Sequence, residues 1–440
     1  MKQATIAAIA TPPGRGGVGV IRVSGSDALQ IVARLSMRAT TVPAPRRAQL
    51  MRWYDAEGEL LDEGLAIYFP APNSYTGEDV VELHAHGSPV LLREILQRLI
   101  RLGCRAALPG EFTRRAVENG KMDLSQAEAV AATIDAATLR AGKVAQRQLH
   151  GEFGRHVDYL MSALTGFVAH LEASLDFPED EIPALFFDRL REDVDGSLLT
   201  PLRRMLELAP LGERLFDGAR VAIIGAPNVG KSSILNVLAG YERAIVSDIP
   251  GTTRDVLELD FEVHGIPLRM VDTAGLRESD DMIEQEGVRR AEGAAQQADV
   301  VIFVADATRS QTWEPHARAD VLVMNKIDAV GEISIPDSFL CISARTGDGL
   351  DQLRDALASR LGDIPLADEG MLVTRERHRM AIVEAVHHLE SGLAMLGDES
   401  ELDLAASEWR MAWVSLGEIL GIGDVEHILN RVFSDFCIGK

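Results

Sequence analysis

Residues 225 to 232 read Gly-Ala-Pro-Asn-Val-Gly-Lys-Ser, the spacing Gly-x4-Gly-Lys-Ser/Thr that can hold a chain of phosphates. Glycines let successive backbone N–H groups curve round phosphate oxygens, and a helix starting at the end of the loop adds its positive pole. Lys231 is the candidate cation for the β- and γ-phosphates, in binding and in catalysis. The Ser232 hydroxyl is the candidate ligand of Mg²⁺, and Asn228, Val229, Gly230 and Ser233 line the same loop. The motif needs a strand before it and a helix after it. The apolar run Arg220–Ile224 precedes the loop, and Ser233–Ala239 has helical character. A glycine turn ending by chance in Lys-Ser is the competing reading, and this context argues against it.

Three short motifs follow in order, each after an apolar strand-like run. Asp272-Thr273-Ala274-Gly275 comes after Leu268–Val271; a carboxylate there can support the metal shell, and the glycine N–H can meet a γ-phosphate. Asn325-Lys326-Ile327-Asp328 comes after Val321–Met324. Asp328 can accept two hydrogen bonds, from guanine N1–H and the 2-amino group. Adenine offers no such donor pair and would leave the carboxylate unpaired. Ser343-Ala344-Arg345 comes after Phe339–Ile342 and can present backbone N–H to the guanine O6. Any one of these is weak alone. Four in this order predict GTP, not ATP, as the nucleotide bound and hydrolysed.

One position is informative by what it lacks. Many GTPases place Gln directly after the Asp-x-x-Gly turn to orient the attacking water; here that residue is Leu276. Three residues are candidates to compensate. Asn228, inside the phosphate loop, can help to hold a monovalent cation that stabilises transition-state charge. Thr253 lies in Gly251–Asp255, where a first switch loop belongs, and is the expected second Mg²⁺ ligand. Glu284, in the acidic segment after the Asp-x-x-Gly turn, can position water through a bridging molecule, although a solvated carboxylate at a helix start is the commoner origin of such a residue.

The surroundings must be large enough to hold these loops. A chain of 440 residues is expected to form two to four domains. No run of about 18 apolar residues is present, which predicts no membrane span. The first residues lack the pattern of a secretory leader. Three cysteines, Cys104, Cys341 and Cys437, are scattered without disulfide or zinc spacing, which suits a reducing cytoplasm. A net charge of −23 argues against indiscriminate nucleic-acid binding. The acidity is uneven. Residues 1–118 hold 14 Lys and Arg against 12 Asp and Glu, or +2, so the remainder carries −25. A basic patch for RNA is therefore expected to draw on the first region.

Three zones are expected. Residues 1–118 alternate short apolar runs (Ile6–Ile9, Val18–Val23, Gly64–Phe69, Val80–Leu83) with helical stretches such as Pro89–Leu102, an α+β pattern. Residues 119–215 are helical, and helical periodicity returns over Arg375–Leu396 and Leu402–Phe436, so 119–215 with 376–440 reads as one helical domain. Residues 216–375 alternate strand and helix. This is a Ras-like P-loop GTPase domain with a mostly parallel sheet flanked by helices, inserted in a loop of the helical domain. The Gly-rich Thr11–Val20 lacks the Lys-Ser ending and is expected to form tight turns with close backbone approach. His84 and His86 could chelate a metal, but with no third ligand near along the chain a structural role is expected. His387 and His388 are expected on a solvated helix face. Cys104 and Cys341 are expected in the core.

The motifs together resemble one family. Ala10–Gly19, Pro72–Asp79, Pro109–Arg114, Asp123–Glu128, Asp176–Glu179, the four nucleotide motifs and the final Cys437-Ile438-Gly439-Lys440 are similar to those of the MnmE (TrmE) family of tRNA uridine-modification GTPases, from residue 4 to the end. The resemblance implies a dimerising N-terminal domain like folate-binding glycine-cleavage enzymes, holding 5-formyl- or 5,10-methylene-tetrahydrofolate as one-carbon source. Carried over by motif, its contacts fall on Arg22, Glu82 and Lys121, with Lys440 a further candidate. Cations suit the folate glutamate tail, and a carboxylate suits the pterin N–H donors.

The resemblance further implies K⁺ beside the phosphates, bound through Asn228 and the backbone carbonyls of Ser247, Ile249 and Thr252, with Glu284 assisting the attacking water. GTPase domains then meet across a homodimer during hydrolysis, which acts as a conformational switch. The implied partner is the FAD- and NADH-dependent MnmG (GidA). Together the two install an aminomethyl or carboxymethylaminomethyl group at C5 of the tRNA wobble uridine, position 34. Cys437 is a candidate nucleophile, since a thiolate adding to uridine C6 would activate C5, although apolar Phe436 and Ile438 would raise its pKa unless Lys440 or RNA compensates. A ribosome-assembly GTPase with helical effector surfaces and no one-carbon chemistry is the alternative. The nucleotide motifs alone do not separate the two; the first region and the Cys-Ile-Gly-Lys end favour the first.

Overall fold

The structure, a computed structural model, describes residues 3–37, 44–176, 184–241, 261–270, 292–309, 315–331, 334–362, 365, 368–396, 401–423, 426–434, 436 and 438–439. The chain divides into two compact units, Met1–Ala131 with Gly417–Lys440, and Ala132–Leu416.

In the first unit, strands β1 (Ile6–Ile9), β2 (Gly16–Ser24), β3 (Gln49–Tyr54), β4 (Leu60–Phe69), β5 (Val80–Gly87) and β6 (Arg105–Ala106) form one sheet in the order β3-β4-β5-β2-β1-β6. Every pair is antiparallel except β1 with β6. Alternation makes it a sheet with a wet face: Ile21 and Val23 of β2 are fully buried while Val20 and Arg22, which alternate with them, are not. The buried face carries the helices Ala28–Leu35 and Pro89–Arg101, whose Ile31, Val32, Leu35, Ile95 and Leu99 pack with Trp53, Leu83 and Val81. Each such side chain contributes about 1.5–3 kcal/mol. The Gly-rich Thr11–Val20 forms tight turns only before Gly16; from there it is the extended start of β2, which corrects the expectation, and close approaches occur at Gly19 and at Gly87 of the neighbouring strand. A Cβ on Gly19 would lie 2.4 Å from Leu92 Cδ1, and one on Gly87 would lie 2.5 Å from the Gly16 carbonyl oxygen.

The helix Glu111–Glu118 closes this unit through Arg115, which is 2% exposed. Its guanidinium reaches Glu78 Oε2 at 3.0 Å, Glu111 Oε1 at 2.8 Å and the Ala4 carbonyl at 2.9 Å. That network ties the 72–79 loop to the first strand. Leu124 and Ala127 pack with Ile428, Leu429 and Phe433 of the helix Glu426–Ser434. The periodicity over Leu402–Phe436 is not one helix, however. It breaks into Leu402–Leu420 and Glu426–Ser434. Gly421 at φ +81° ends the first helix, with the Ile422 N–H returning to the Gly417 carbonyl at 2.9 Å. A left-handed glycine satisfies the last carbonyls and cannot continue the turn.

In the second unit, the helices Leu139–Leu149, Glu152–Asp176, Ala184–Val194, Thr200–Asp217 and Glu376–Met395 and most of Leu402–Leu420 form a helical frame; a π-helical turn at Asp195–Leu199 joins the third to the fourth. Ala141, Val144, Leu208, Leu215 and Leu372 share one apolar cluster, and Gln148 Nε2 donates to the Leu372 carbonyl at 2.9 Å. Segments from before and after residues 219–361 thus pack together, and the strand–helix region between them is an insertion. Its strands β7 (Ala219–Ile224), β8 (Phe261–Val263), β9 (Ile266–Met270), β10 (Val300–Asp306), β11 (Val321–Asn325) and β12 (Leu340–Cys341) run in the order β12-β11-β10-β7-β9-β8. All pairs are parallel except the β8–β9 hairpin. The central strands are apolar on both faces, as a sheet between helices requires: Val300, Val301, Ile302 and Val304 of β10 are all buried. Among the described residues no helix is long and apolar enough to cross a membrane.

Cys104 is buried, but Cys341 is exposed, which corrects the expected core position. It sits on the two-residue edge strand β12, where one partner strand leaves a face open to solvent. Burial pushes the Cys104 thiol up to about 12. Iodoacetamide at pH 8 is therefore expected to modify Cys341 in the native chain and to reach Cys104 only after denaturation, as read by peptide mass spectrometry. Equal native labelling of both would contradict this packing.

Candidate functional site

The phosphate loop connects β7 to the helix Lys231–Tyr241. Its curvature depends on residues that tolerate positive φ: Gly225 at +149°, Asn228 at +64° and Gly230 at +98°. Two of them also face crowded neighbours, one a backbone carbonyl and the other a side-chain amide. A Cβ on Gly225 would lie 2.2 Å from the Val304 carbonyl oxygen, and one on Gly230 would lie 2.2 Å from Asn325 Nδ2. The cradle is therefore defined by missing side chains. Lys231 folds over it, its Nζ donating to the Gly225 carbonyl at 2.8 Å and the Ala226 carbonyl at 2.9 Å. Burial lowers the Lys231 pKa, as expected of an ammonium that lacks an anionic partner among the described residues. Ser232 and Ser233 are exposed on the first turn of the helix, with free access to a ligand, while Val229 anchors the loop from the core at 2% exposure.

Asn325 joins this loop to the base-recognition loops. It is 2% exposed at the end of β11. Its Nδ2 donates to the Val229 carbonyl at 2.9 Å, and its Oδ1 accepts the Ala344 N–H at 3.1 Å. Lys326 follows in the left-handed conformation, φ +67°, and its Nζ donates to the Asn228 carbonyl at 2.7 Å. Asp328 Oδ1 accepts the Ser343 hydroxyl at 2.7 Å, and Arg345 Nη1 lies 3.6 Å from Oδ2. Ser343 is fully buried and Arg345 is exposed. The loop stays closed because Gly349, at φ +77°, allows the Cys341 carbonyl to approach; a Cβ there would lie 2.1 Å from that oxygen.

All nucleotide candidates in the described residues thus gather at the carboxyl ends of β7, β11 and β12, the edge where ligands sit on parallel sheets. Sequence reasoning missed Asp306. It closes β10, is 3% exposed, and its Oδ2 accepts Lys326 Nζ at 2.7 Å. Burial pushes its carboxyl up, but the Lys326 ammonium and the Thr308 hydroxyl and N–H outweigh that and hold it below its ordinary value. The available signal was an acid as the last residue of a parallel strand. Ser247, Ile249, Thr252, Thr253, Asp272, Thr273, Ala274, Gly275, Glu284, Cys437 and Lys440 lie outside the described residues.

In the N-terminal unit, Arg22 and Glu82 face each other across β2 and β5. Arg22 Nε and Nη2 donate to Glu82 Oε1 at 3.0 and 2.9 Å. The Tyr75 and Phe112 rings lie 5.2 and 5.6 Å from the guanidinium carbon. His84 Nε2 lies 3.6 Å from Glu82 Oε2, on the same face of β5. Lys121 is exposed, and its stem lies beside Gly77, in the loop that carries Tyr75. His86 is held by Asp62 at 2.7 Å, and no group of three metal-ligating side chains occurs among the described residues. His387 is exposed; His388 is half-buried and bonded to Glu408 at 2.7 Å.

A parallel sheet carrying a Gly-x4-Gly-Lys-Ser loop, wired through one buried asparagine to an Asn-Lys-x-Asp loop, defines a P-loop GTPase domain. Comparison with known proteins extends over the rest of the chain. A family model described as "MnmE helical domain" matches residues 124–437, and one described as "GTP-binding protein TrmE N-terminus" matches residues 5–121. A curated protein of Nitrosomonas eutropha named "tRNA modification GTPase MnmE" is 43% identical over 99% of both chains. One of the same name from Methylococcus capsulatus is 44% identical over 99% of this chain and 98% of its own. The chain belongs to the MnmE family of tRNA modification GTPases. Among solved structures, the G domain of the T. maritima FeoB iron transporter is similar at 26% identity, covering 33% of this chain and 99% of that one with a TM-score of 0.23.

Proposed function

We propose that the chain is a K⁺-activated GTPase that acts with an FAD- and NADH-dependent flavoprotein, MnmG, to modify C5 of the tRNA wobble uridine, using a one-carbon unit of tetrahydrofolate. The observation that carries the nucleotide half is Asn325, whose single buried amide binds the phosphate loop on one side and the Ser343–Arg345 loop on the other. A nucleotide held by both loops must carry phosphates and a base whose donors match the Asp328 carboxylate. Whole-length likeness to tRNA modification GTPases supports the modification reading over a ribosome-assembly role.

In this reading Lys231 leaves the Gly225 and Ala226 carbonyls for the β- and γ-phosphates, and Ser232 with Thr253 holds Mg²⁺. The glycine cradle and the exposed Ser232 hydroxyl fit that assignment. Asp272 supports the Mg²⁺ shell and the Gly275 N–H meets the γ-phosphate, with Thr273 and Ala274 in the same turn. Asn228, with Ser247, Ile249 and Thr252 carbonyls, holds K⁺; the two cations supply charge neutralisation to the transferring phosphoryl group when bound. Glu284 orients the attacking water in the absence of a glutamine at Leu276. Arg22, Glu82 and Lys121, with Lys440, bind the folate. The cations would supply charge to the folate carboxylates, and Glu82 would supply acceptors to the pterin N–H donors. Cys437 is the candidate nucleophile at uridine C6. The working division is 1–118 for folate and dimerisation, 119–215 with 376–440 for the helical domain and 216–375 for the GTPase, in a cytoplasmic homodimer.

GTP turnover in KCl is expected to exceed turnover in NaCl by roughly a hundredfold or more, because one missing transition-state charge contact costs several kcal/mol. Asn228→Ala should remove most of that difference. Initial phosphate-release rates in the two salts check both, and equal rates in wild type would sink the cation assignment.

A further inference from the structure

The Lys326 ammonium has two partners, and only one belongs to the nucleotide loops described above. Its Nζ donates to the Asn228 carbonyl at 2.7 Å and to Asp306 Oδ2 at 2.7 Å. Asp306 comes from β10, which contributes none of the four sequence motifs. The carboxylate is buried, and its other oxygen is held by the Thr308 N–H at 2.9 Å and the Thr308 hydroxyl at 2.7 Å. Arg309 Nε, at 3.7 Å from Oδ2, is too far for a hydrogen bond.

The arrangement solves a local problem. Lys326 sits at φ +67°, a conformation that a long side chain adopts only when its surroundings demand it. Backbone pairing places Asp306 opposite Asn325, and the Ala307 N–H donates to the Asn325 carbonyl at 2.9 Å. The end of β10 thus grips both the residue before the strained position and the side chain of the strained residue itself. Lys326 also lies along the phosphate loop, with its Cε 4.0 Å from where a Gly230 Cβ would be.

We infer that Asp306 is a positioning residue for guanine nucleotide: through Lys326 it fixes the base-recognition loop and the Asn228 turn of the phosphate loop in one geometry. The inference rests on reading Asn325–Asp328 as the guanine-binding loop. Asp306 touches no nucleotide in this scheme. Its charge pins the ammonium that bridges two loops, so the binding site is preassembled before ligand arrives.

A double-mutant cycle in the full-length chain tests it, with GDP binding measured by calorimetry. Asp306→Asn alone is expected to weaken GDP roughly tenfold, as loss of the buried anion from a partly exposed charge pair does. Lys326→Met alone is expected to weaken it by a similar factor or more. In the Lys326→Met background, Asp306→Asn should change affinity less than twofold, because its effect passes through the missing ammonium. Full additivity would overturn the inference, since Asp306 would then act on the fold independently. If Asp306→Asn does not fold, thermal melts decide instead. Lys326→Met removes the nearest counter-charge of a buried carboxylate, leaving it the Thr308 donors and the more distant Arg309, and should lower Tm, and the paired variant Asp306→Asn/Lys326→Met should recover at least half of the loss. No recovery overturns the inference. The guanine reading fails separately, if Asp328→Asn leaves base preference unchanged.

Discussion

Asp328→Asn is expected to lower GTP affinity by at least about a hundredfold and to make xanthosine triphosphate the preferred nucleotide. The Asp328 carboxylate is oriented by the Ser343 hydroxyl at 2.7 Å and faces solvent on the side of Arg345, 3.6 Å away. Two acceptor oxygens so placed match the N1–H and 2-amino donors of guanine. An amide replaces one acceptor with a donor, which opposes the 2-amino group and leaves a buried polar atom unpaired. Xanthine carries a carbonyl at that position and accepts from the new donor. Hydrogen bonds rejected in this way cost more than they contribute when made, so the switch should be large. Competition of each triphosphate against labelled GDP reads it directly. A variant that still prefers GTP would mean that Asp328 does not contact the base.

Gly230→Ala is expected to abolish measurable GTP binding up to millimolar nucleotide and to lower Tm by several degrees. Two separate penalties combine here. Alanine at φ +98° is strained by about 1–3 kcal/mol. Its Cβ would also lie 2.2 Å from Asn325 Nδ2, and neither atom can yield without losing the amide bond to the Val229 carbonyl. Relieving the clash moves Asn325, and with it the Ala344 N–H on the base side. The effect on binding should therefore exceed the effect on stability. Gly240→Ala is the matched control. That glycine lies in the last turn of the helix Lys231–Tyr241, a Cβ there meets nothing within 4 Å among the described residues, and alanine should stabilise by about 0.5 kcal/mol without affecting binding. Calorimetry with GTP and thermal melts on both variants check the contrast. Normal GTP affinity in Gly230→Ala would show that the loop is not held as described.

Local patterns made much of this architecture readable before any coordinates. The apolar run Arg220–Ile224 followed by Gly-x4-Gly-Lys-Ser specifies strand, turn and helix, because glycine content, period and capping all point the same way. The apolar run Val80–Leu83 predicts a strand, and it lies in β5, where Glu82 and His84 share one face. The break at Gly421 is not legible in such a pattern. The apolar period runs on through Leu402–Phe436, and a single glycine inside a helical pattern is usually tolerated. Its left-handed φ is set by the return of the Ile422 N–H to the Gly417 carbonyl, which no period reveals. Cys341 looked like core beside Phe339 and Ile342. It is exposed because β12 is a two-residue edge strand, and edge position is a property of the sheet.

The sequence by itself determined which residues can hold phosphates and which carboxylate can select guanine, since those choices depend on residue type and on spacing of a few positions. It also carried the alternation that separates a sheet-forming first region from a helical frame interrupted by a strand–helix insertion. Only the tertiary structure decided that Asn325 spans two loops 96 residues from Val229 and 19 from Ala344, that Arg22 pairs with Glu82 across 60 residues, and that Asp306 holds Lys326. These contacts join elements whose separation along the chain is large and whose register is fixed by strand pairing and burial. Hydrogen bonds act over about 3 Å, so their partners are chosen by the fold that brings them within reach.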